Sequence, residues 1–407
     1  MKQHRNQILS VLLSFTILFS SFGVPVPVVA EPSTGPDIAA PSAILMEAST
    51  GTVLYEKNSH EKLRPASITK IMTLILVFEA LESGKISLDD TVTVSEHAAS
   101  MGGSQVYLEV GETQTVNDLL KCVSIASAND ACVALAEFVA GSEDAFVQKM
   151  NEKAQALGMN DTHFVNCCGL EAEGHLTTAY DIALMSRELS MNHPQIHDYC
   201  TIWMDSITHT TRKGTSEFGL TNTNKFVRYY SYATGLKTGY TSQSKYCLAG
   251  TATKDDVDLI SVVMAEESPT VRTKDTITLM DYGFASCQLY RDANEDYLSE
   301  VTVKKGTNTV VPVDYTDEFV YVITDGSSTE EITKEIILPE DVTAPIQKGD
   351  IIGKAVYKKS GSEIGSVDIT ATADVERQTF SNVYSTLLKK LFTITVKTDA
   401  EYSNKAA

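Results

Sequence analysis

Residues 65–84 read PASITKIMTLILVFEALESG, and the fold turns on this stretch. Pro65 stands where a first helical turn tolerates proline, Gly84 where a helix stops, and Ile68, Ile71, Met72, Ile75, Phe78 and Leu81 recur between them at helical spacing. The segment is a long helix. At its start Ser67 and Lys70 share one side, with Cβ atoms roughly 5–6 Å apart, so an amine can reach the hydroxyl proton. Serine needs such a base to become a nucleophile. A lysine at its ordinary pKa of about 10.4 is protonated, so burial and a neighbouring cation would have to lower it. The unpaired N–H groups of the helix start can also stabilise an oxyanion.

Upstream, residues 43–47 and 52–56 flank a Ser49-Thr50-Gly51 turn and read as a hairpin. Downstream, Thr115 with Asp118, Ser142, and Thr178 with Asp181 open helices, and an Ala-rich helix covers about 130–140. Residues 236–241, 246–253 and 258–265 read as an antiparallel meander, followed by a helix at about 271–284. Residues 31–292 are therefore expected to form one α+β domain, an antiparallel sheet with helices on both sides. Beyond Asp296 the helical period gives way to short strands punctuated by Gly and Pro. Residues 293–376 are expected to form a small all-β domain, a sandwich with a positioning role.

The chain ends differ from this body. Lys2 and Arg5, the apolar run 8–22 and Val28-Val29-Ala30 read as an export leader over residues 1–30, since Pro25 and Pro27 interrupt the segment before it reaches a span's ~20 residues. At the other end, Phe380, Val383, Tyr384, Leu387, Leu388, Leu391 and Phe392 fall on one helical stripe with Lys389 and Lys390 opposite, in an amphipathic segment placed at 377–407. The stripe is too short to span a bilayer. It can lie in a membrane interface, which the lysine pair favours, or dock on the β domain.

Composition narrows the chemistry. Among 407 residues, Lys+Arg 33 against Asp+Glu 53 gives a net charge of -20, and without a basic patch this excludes nucleic acid as a partner. Seven cysteines form no framework of pairs and read mostly as small buried apolar residues. No metal or cofactor is expected: adjacent Cys167-Cys168 lack CxxC spacing, and Pro194 separates His193 from His197. His163 and His175 read as structural or loop residues.

Ser67 and Lys70 alone form a weak signal, because serine is a common helix cap. Two further motifs make it specific: Ser127-Ala128-Asn129 between two helices and Lys237-Thr238-Gly239 at a strand edge. The three in this order match the penicillin-recognising serine enzymes. Residues 43–284 resemble the D-alanyl-D-alanine carboxypeptidase family of low-molecular-mass penicillin-binding proteins. The resemblance rests also on Thr162-His163-Phe164, Gly169-Leu170, Thr177-Thr178-Ala179-Tyr180-Asp181, Asn222-Thr223-Asn224 and the run from Gly235 to Thr241. The β-rich domain and the terminal amphipathic helix fit the same family.

That resemblance implies an exported enzyme at the outer face of the bacterial cytoplasmic membrane or in the cell wall. Its substrate would be a peptidoglycan stem peptide ending in D-Ala-D-Ala, and β-lactams would inhibit it. It implies that Ser67 attacks the terminal peptide bond, that Lys70 takes its proton, and that Ser127 and Lys237 relay a proton to the leaving amine. Lys237 would also keep the site electropositive and so favour a neutral Lys70. Asn129 would hold the substrate amide and Thr238 its carboxylate, with Gly239 completing the motif. The backbone N–H groups of Ser67 and Tyr240 would form the oxyanion hole. Arg272 is either a second carboxylate anchor or a solvated surface arginine.

Two alternatives are a serine β-lactamase and a non-catalytic wall-binding protein. The first is disfavoured because Ser-Ala-Asn replaces Ser-Asp-Asn and no Glu-x-x-Leu-Asn follows Ser127. The second is disfavoured by the intact motifs. Where the family more usually has Asn-Pro-His-Gly-Leu, this chain has Asn166-Cys167-Cys168-Gly169-Leu170.

Overall fold

The computed structural model describes residues 35–403, with side chains through Leu391. The expected leader at 1–30 and the side chain of Phe392 lie outside the described residues.

Strands β1 (Ser42–Glu47) and β2 (Val53–Lys57) form the expected hairpin. The meander is β3 (Ala233–Thr241), β4 (Lys245–Lys254) and β5 (Val257–Glu266). β1 pairs antiparallel with β5, giving one five-stranded sheet in the order β2-β1-β5-β4-β3. Alternate side chains serve opposite faces, as the pleat requires. Ile44, Met46, Ala249 and Val262 enter one core, while Ala43, Leu45, Leu248 and Val263 enter another.

The first core is filled by α1 (Lys70–Glu82), α2 (Val116–Ile125), α3 (Asn129–Ala140), α4 (Glu143–Ala156) and α5 (Ala179–Asn192). The second is covered by α6 (Pro269–Ser286). The expected caps form: Thr115, Ser142 and Thr178 accept from the N–H of Asp118, Ala145 and Asp181. α1 is buried at every residue from Lys70 to Phe78, so it is the central rod of the domain and not a surface helix.

The predicted long helix differs at its start, where Ala66–Thr69 tighten into a 3-10 turn. Two hairpin-like pairs escaped the sequence reading: Thr91–Thr93 with Thr113–Thr115, and Met204–Thr211 with Gly214–Thr221. These strands are rich in Thr and Ser and bury few side chains, so no apolar alternation marks them.

Strand β6 (Gln288–Asp292) was expected inside the first domain, which was placed at 31–292. It pairs instead with β7 (Phe319–Ile323) of the second, so by its pairing the second domain begins near residue 288. The second domain packs three- and four-stranded sheets around Val311, Ala355, Tyr357 and Ile369. The Phe319 ring stacks on Tyr357 with centroids 3.8 Å apart.

Helix α7 (Phe380–Ser403) runs beyond the apolar stripe. Its side chains are exposed from Phe380 to Leu391 and are not buried against the β-rich domain. Among the described residues, no helix is long and apolar enough to cross a membrane.

Candidate active site

The 3-10 turn puts Ser67 at a partly exposed position with Lys70 wholly buried beneath it. Lys70 Nζ donates to Ser67 Oγ at 3.0 Å, to Asn129 Oδ1 at 2.6 Å and to the Cys168 carbonyl at 2.8 Å. Three acceptors on three different segments fix the amine in one position.

The turn keeps its shape because two glycines let other chain segments touch it. A Cβ on Gly239 would lie 2.7 Å from the Pro65 carbonyl oxygen and 3.2 Å from Ala66 Cβ, so only glycine lets β3 run this close to the turn that carries Ser67. Gly169 is more extreme. With φ of +88° it presses on Ala66, whose carbonyl oxygen a Cβ would meet at 1.8 Å.

The loop before α3 supplies the second motif. Ser127 holds a left-handed φ of +60° and is buried. Its Oγ accepts from Lys237 Nζ at 2.8 Å, and the same ammonium donates to the Thr238 carbonyl at 3.2 Å. Asn129 is held at both ends of its amide, accepting from Lys70 and donating to the Gly102 carbonyl at 2.7 Å. One amide hydrogen and one lone pair stay open for a ligand. Asp130 pins the facing loop through the N–H groups of Val106 and Leu108, each at 3.1 Å.

Lys237 is fully buried, and burial first, then the charge of Lys70, push its pKa down to about 7. Near neutral pH Lys237 is therefore not a permanent cation. Thr238 Oγ1 lies 2.9 Å from Thr223 Oγ1, which ties the Asn222-Thr223-Asn224 segment to β3. Tyr240 is exposed and stacks on Tyr246 at 4.3 Å.

Arg272 is buried, which removes the reading of a solvated surface arginine. Burial lowers its pKa, and Nη1 reaches the Cys247 carbonyl at 3.4 Å. Nε is buried without a hydrogen-bond partner.

Sequence reasoning missed the supports. His175 Nδ1 accepts the Val165 N–H at 3.1 Å, so Nε2 carries the hydrogen and donates to Thr69 Oγ1 at 2.9 Å. Burial pushes its pKa down to about 4, keeping the ring neutral and Thr69 in place between the two motif residues. The Cys167 carbonyl accepts from Thr73 Oγ1 at 2.6 Å. Hydrogen bonds to Cys132 and Cys168 hold the Cys167 thiol well above its ordinary pKa; Cys168, bonded to Cys167 and near Lys70, is drawn to about 7. Only the order of residues along a folded loop brings these groups to α1. A cavity of about 640 Å³ between α1 and Tyr199 contains none of the motif residues, so volume does not mark the site.

The family model described as D-alanyl-D-alanine carboxypeptidase matches residues 29–268, and the one described as penicillin-binding protein 5, C-terminal domain, matches residues 288–377. D-alanyl-D-alanine carboxypeptidase DacF of Bacillus subtilis is 42% identical over 344 residues, covering 84% of this chain and 87% of the relative. DacC of Escherichia coli is 33% identical over 356 residues, covering 85% and 86%. The crystal structure of penicillin binding protein 5 from Haemophilus influenzae superposes with a TM-score of 0.73 at 30% identity, over 85% of this chain and 100% of that one.

Proposed function

Since the chain belongs to the D-alanyl-D-alanine carboxypeptidase family, and is thus a serine-type D-Ala-D-Ala carboxypeptidase, we propose that Ser67 is its nucleophile and Lys70 the base that activates it. The observation that carries this reading is the 3.0 Å contact between Lys70 Nζ and Ser67 Oγ, with the amine anchored on Asn129 and Cys168. Lys70 in its amine form takes the hydroxyl proton as Oγ bonds to the carbonyl carbon of the penultimate D-alanine. The oxyanion is received by the backbone N–H groups of Ser67 and Tyr240.

Collapse of the tetrahedral species breaks the C–N bond. The leaving amine takes a proton relayed through Ser127 and Lys237, whose 2.8 Å contact supports that route. Water then attacks the acyl-enzyme and releases the shortened peptide with Ser67 restored. Asn129 offers its remaining amide positions to the substrate backbone. Thr238 and Arg272 receive the terminal carboxylate, and the unpaired buried Nε supports this assignment for Arg272. Gly239 serves by letting β3 approach the turn. β-Lactams acylate the same serine because their amide mimics the scissile bond.

The substrate on this reading is the peptidoglycan stem peptide. The chain divides into a leader at 1–30, the catalytic domain, the β-rich domain and the terminal helix. The leader exports the enzyme, and α7 lays its apolar stripe on the outer face of the cytoplasmic membrane. The exposure of that stripe supports the placement.

The test is D-alanine release from a pentapeptide ending in D-Ala-D-Ala by wild type and Ser67→Ala, with mass spectrometry of the penicillin adduct. Release is expected to vanish in the variant and the adduct to map to Ser67. Equal release by both proteins would end the proposal.

A further inference from the structure

We infer that Cys167, Cys168 and Glu143 form a site for a soft divalent cation of the zinc class, set behind the nucleophile turn. Their two Sγ atoms and a carboxylate oxygen all lie within 4.8 Å of one another. Cys132 Sγ adds a further donor 3.9 Å from Cys167 Sγ. With Zn–S bonds of about 2.3 Å, two thiolates on one tetrahedral zinc stand roughly 3.8 Å apart, a spacing that Cys132 and Cys167 already have. Thiolates with one carboxylate select zinc over the oxygen-seeking magnesium and calcium.

The donors come from separate elements: Cys132 from α3, Glu143 from the first turn of α4, and the cysteine pair from the loop before α5. All three thiols are free and buried. Glu143 is already oriented as a ligand would be. One of its oxygens accepts the Cys167 N–H at 3.0 Å and the other meets His97 Nε2 at 2.7 Å. The His97 side chain is 51% exposed, so the site has an outer edge open to solvent on that side. The other comparable cluster, Glu79, Glu188 and His193, is unlike it: Lys153 bridges its two carboxylates at 2.8 and 2.6 Å and already supplies their counter-charge.

Binding replaces the protons still held by the Cys167 and Cys168 thiols with two metal–sulfur bonds, and those protons pass to solvent. The consequence reaches the active site through the backbone. The Cys167 and Cys168 carbonyls hold Thr73 and Lys70, so an ion fixed on the two thiols fixes the peptide that orients the amine. The ion is a clamp on the loop and takes no part in bond breaking. Its binding stands or falls independently of the roles proposed for Ser67 and Lys70.

The test uses the full chain with its thiols reduced and counted, titrated with Zn²⁺ and separately with Co²⁺. One ion per chain is expected, with proton release on binding and a sulfur-to-cobalt charge-transfer band. Affinity should fall at least tenfold in the Cys167→Ser, Cys168→Ser double variant and less in Glu143→Gln, with cooperative denaturant unfolding reporting that each variant is folded. If the double variant does not fold, the cobalt band of the wild type and its weakening in Glu143→Gln decide. Less than stoichiometric binding by the reduced wild type, no charge-transfer band, or equal affinity in the folded variants would overturn the site. So would a Cys132–Cys167 disulfide formed in air by a protein that binds no metal when reduced.

Discussion

Lys237 Nζ donates to Ser127 Oγ across 2.8 Å, linking the edge strand β3 to the loop that opens α3. Lys237 is buried beside a second lysine, and its pKa is pushed down to about 7. This pair joins the sheet to the helical layer at the point where a substrate carboxylate would arrive.

A pH dependence follows from that value. Below about pH 7 Lys237 is charged and attracts the substrate carboxylate; above it the attraction fades. In the free enzyme, kcat/KM for a carboxylate-ended peptide should lose one limb as pH rises through about 7. Lys237→Met should remove the inflection and lower kcat/KM by roughly 10²–10⁴-fold. An inflection that persists in the variant would assign it to another group.

Gly169→Ala is expected to cost about 3 kcal/mol or more, because it combines a left-handed backbone with overpacking. The added Cβ would lie 1.8 Å from the Ala66 carbonyl oxygen, so the turn that carries Ser67 must move. Denaturant unfolding and the rate of penicillin acylation should both fall. A variant with wild-type stability would show that the loop yields freely.

Arg272→Gln should raise KM for peptides with a free terminal carboxylate by roughly ten- to a hundredfold, the range of a charge-assisted hydrogen bond. The prediction rests on the buried Nε, which has no hydrogen-bond partner among the described residues. An amidated peptide should show little change. Equal losses on both substrates would mean that Arg272 only supports α6.

Removing residues from Phe380 onward should shift the protein from membrane to soluble fractions with peptidase activity kept. Phe380 is 86% exposed and Leu387 61%, so deletion uncovers no described core of either domain. Unchanged fractionation would place membrane contact elsewhere.

Much of the site was legible because its spacing is local. Ser67 and Lys70 meet one turn apart whatever surrounds them, and the caps at Thr115, Ser142 and Thr178 are set by side chains three residues from their partners. The hairpin and meander followed from alternating apolar residues and turn chemistry. The pairing of Gln288–Asp292 with β7 did not, since the pairing of two strands separated along the chain leaves no mark in either segment alone.

The chain's residue order thus determined which groups are available: two serines, two lysines, an amide and a set of short motifs in fixed succession. Only the folded molecule decided their electrostatics and supports. It buried Arg272, lowered Lys237, seated neutral His175 behind Thr69 and brought Cys132, Glu143 and the Cys167-Cys168 pair together. The physical reason is that burial and Coulomb interaction depend on distances through space, which close packing sets between residues far apart in the chain.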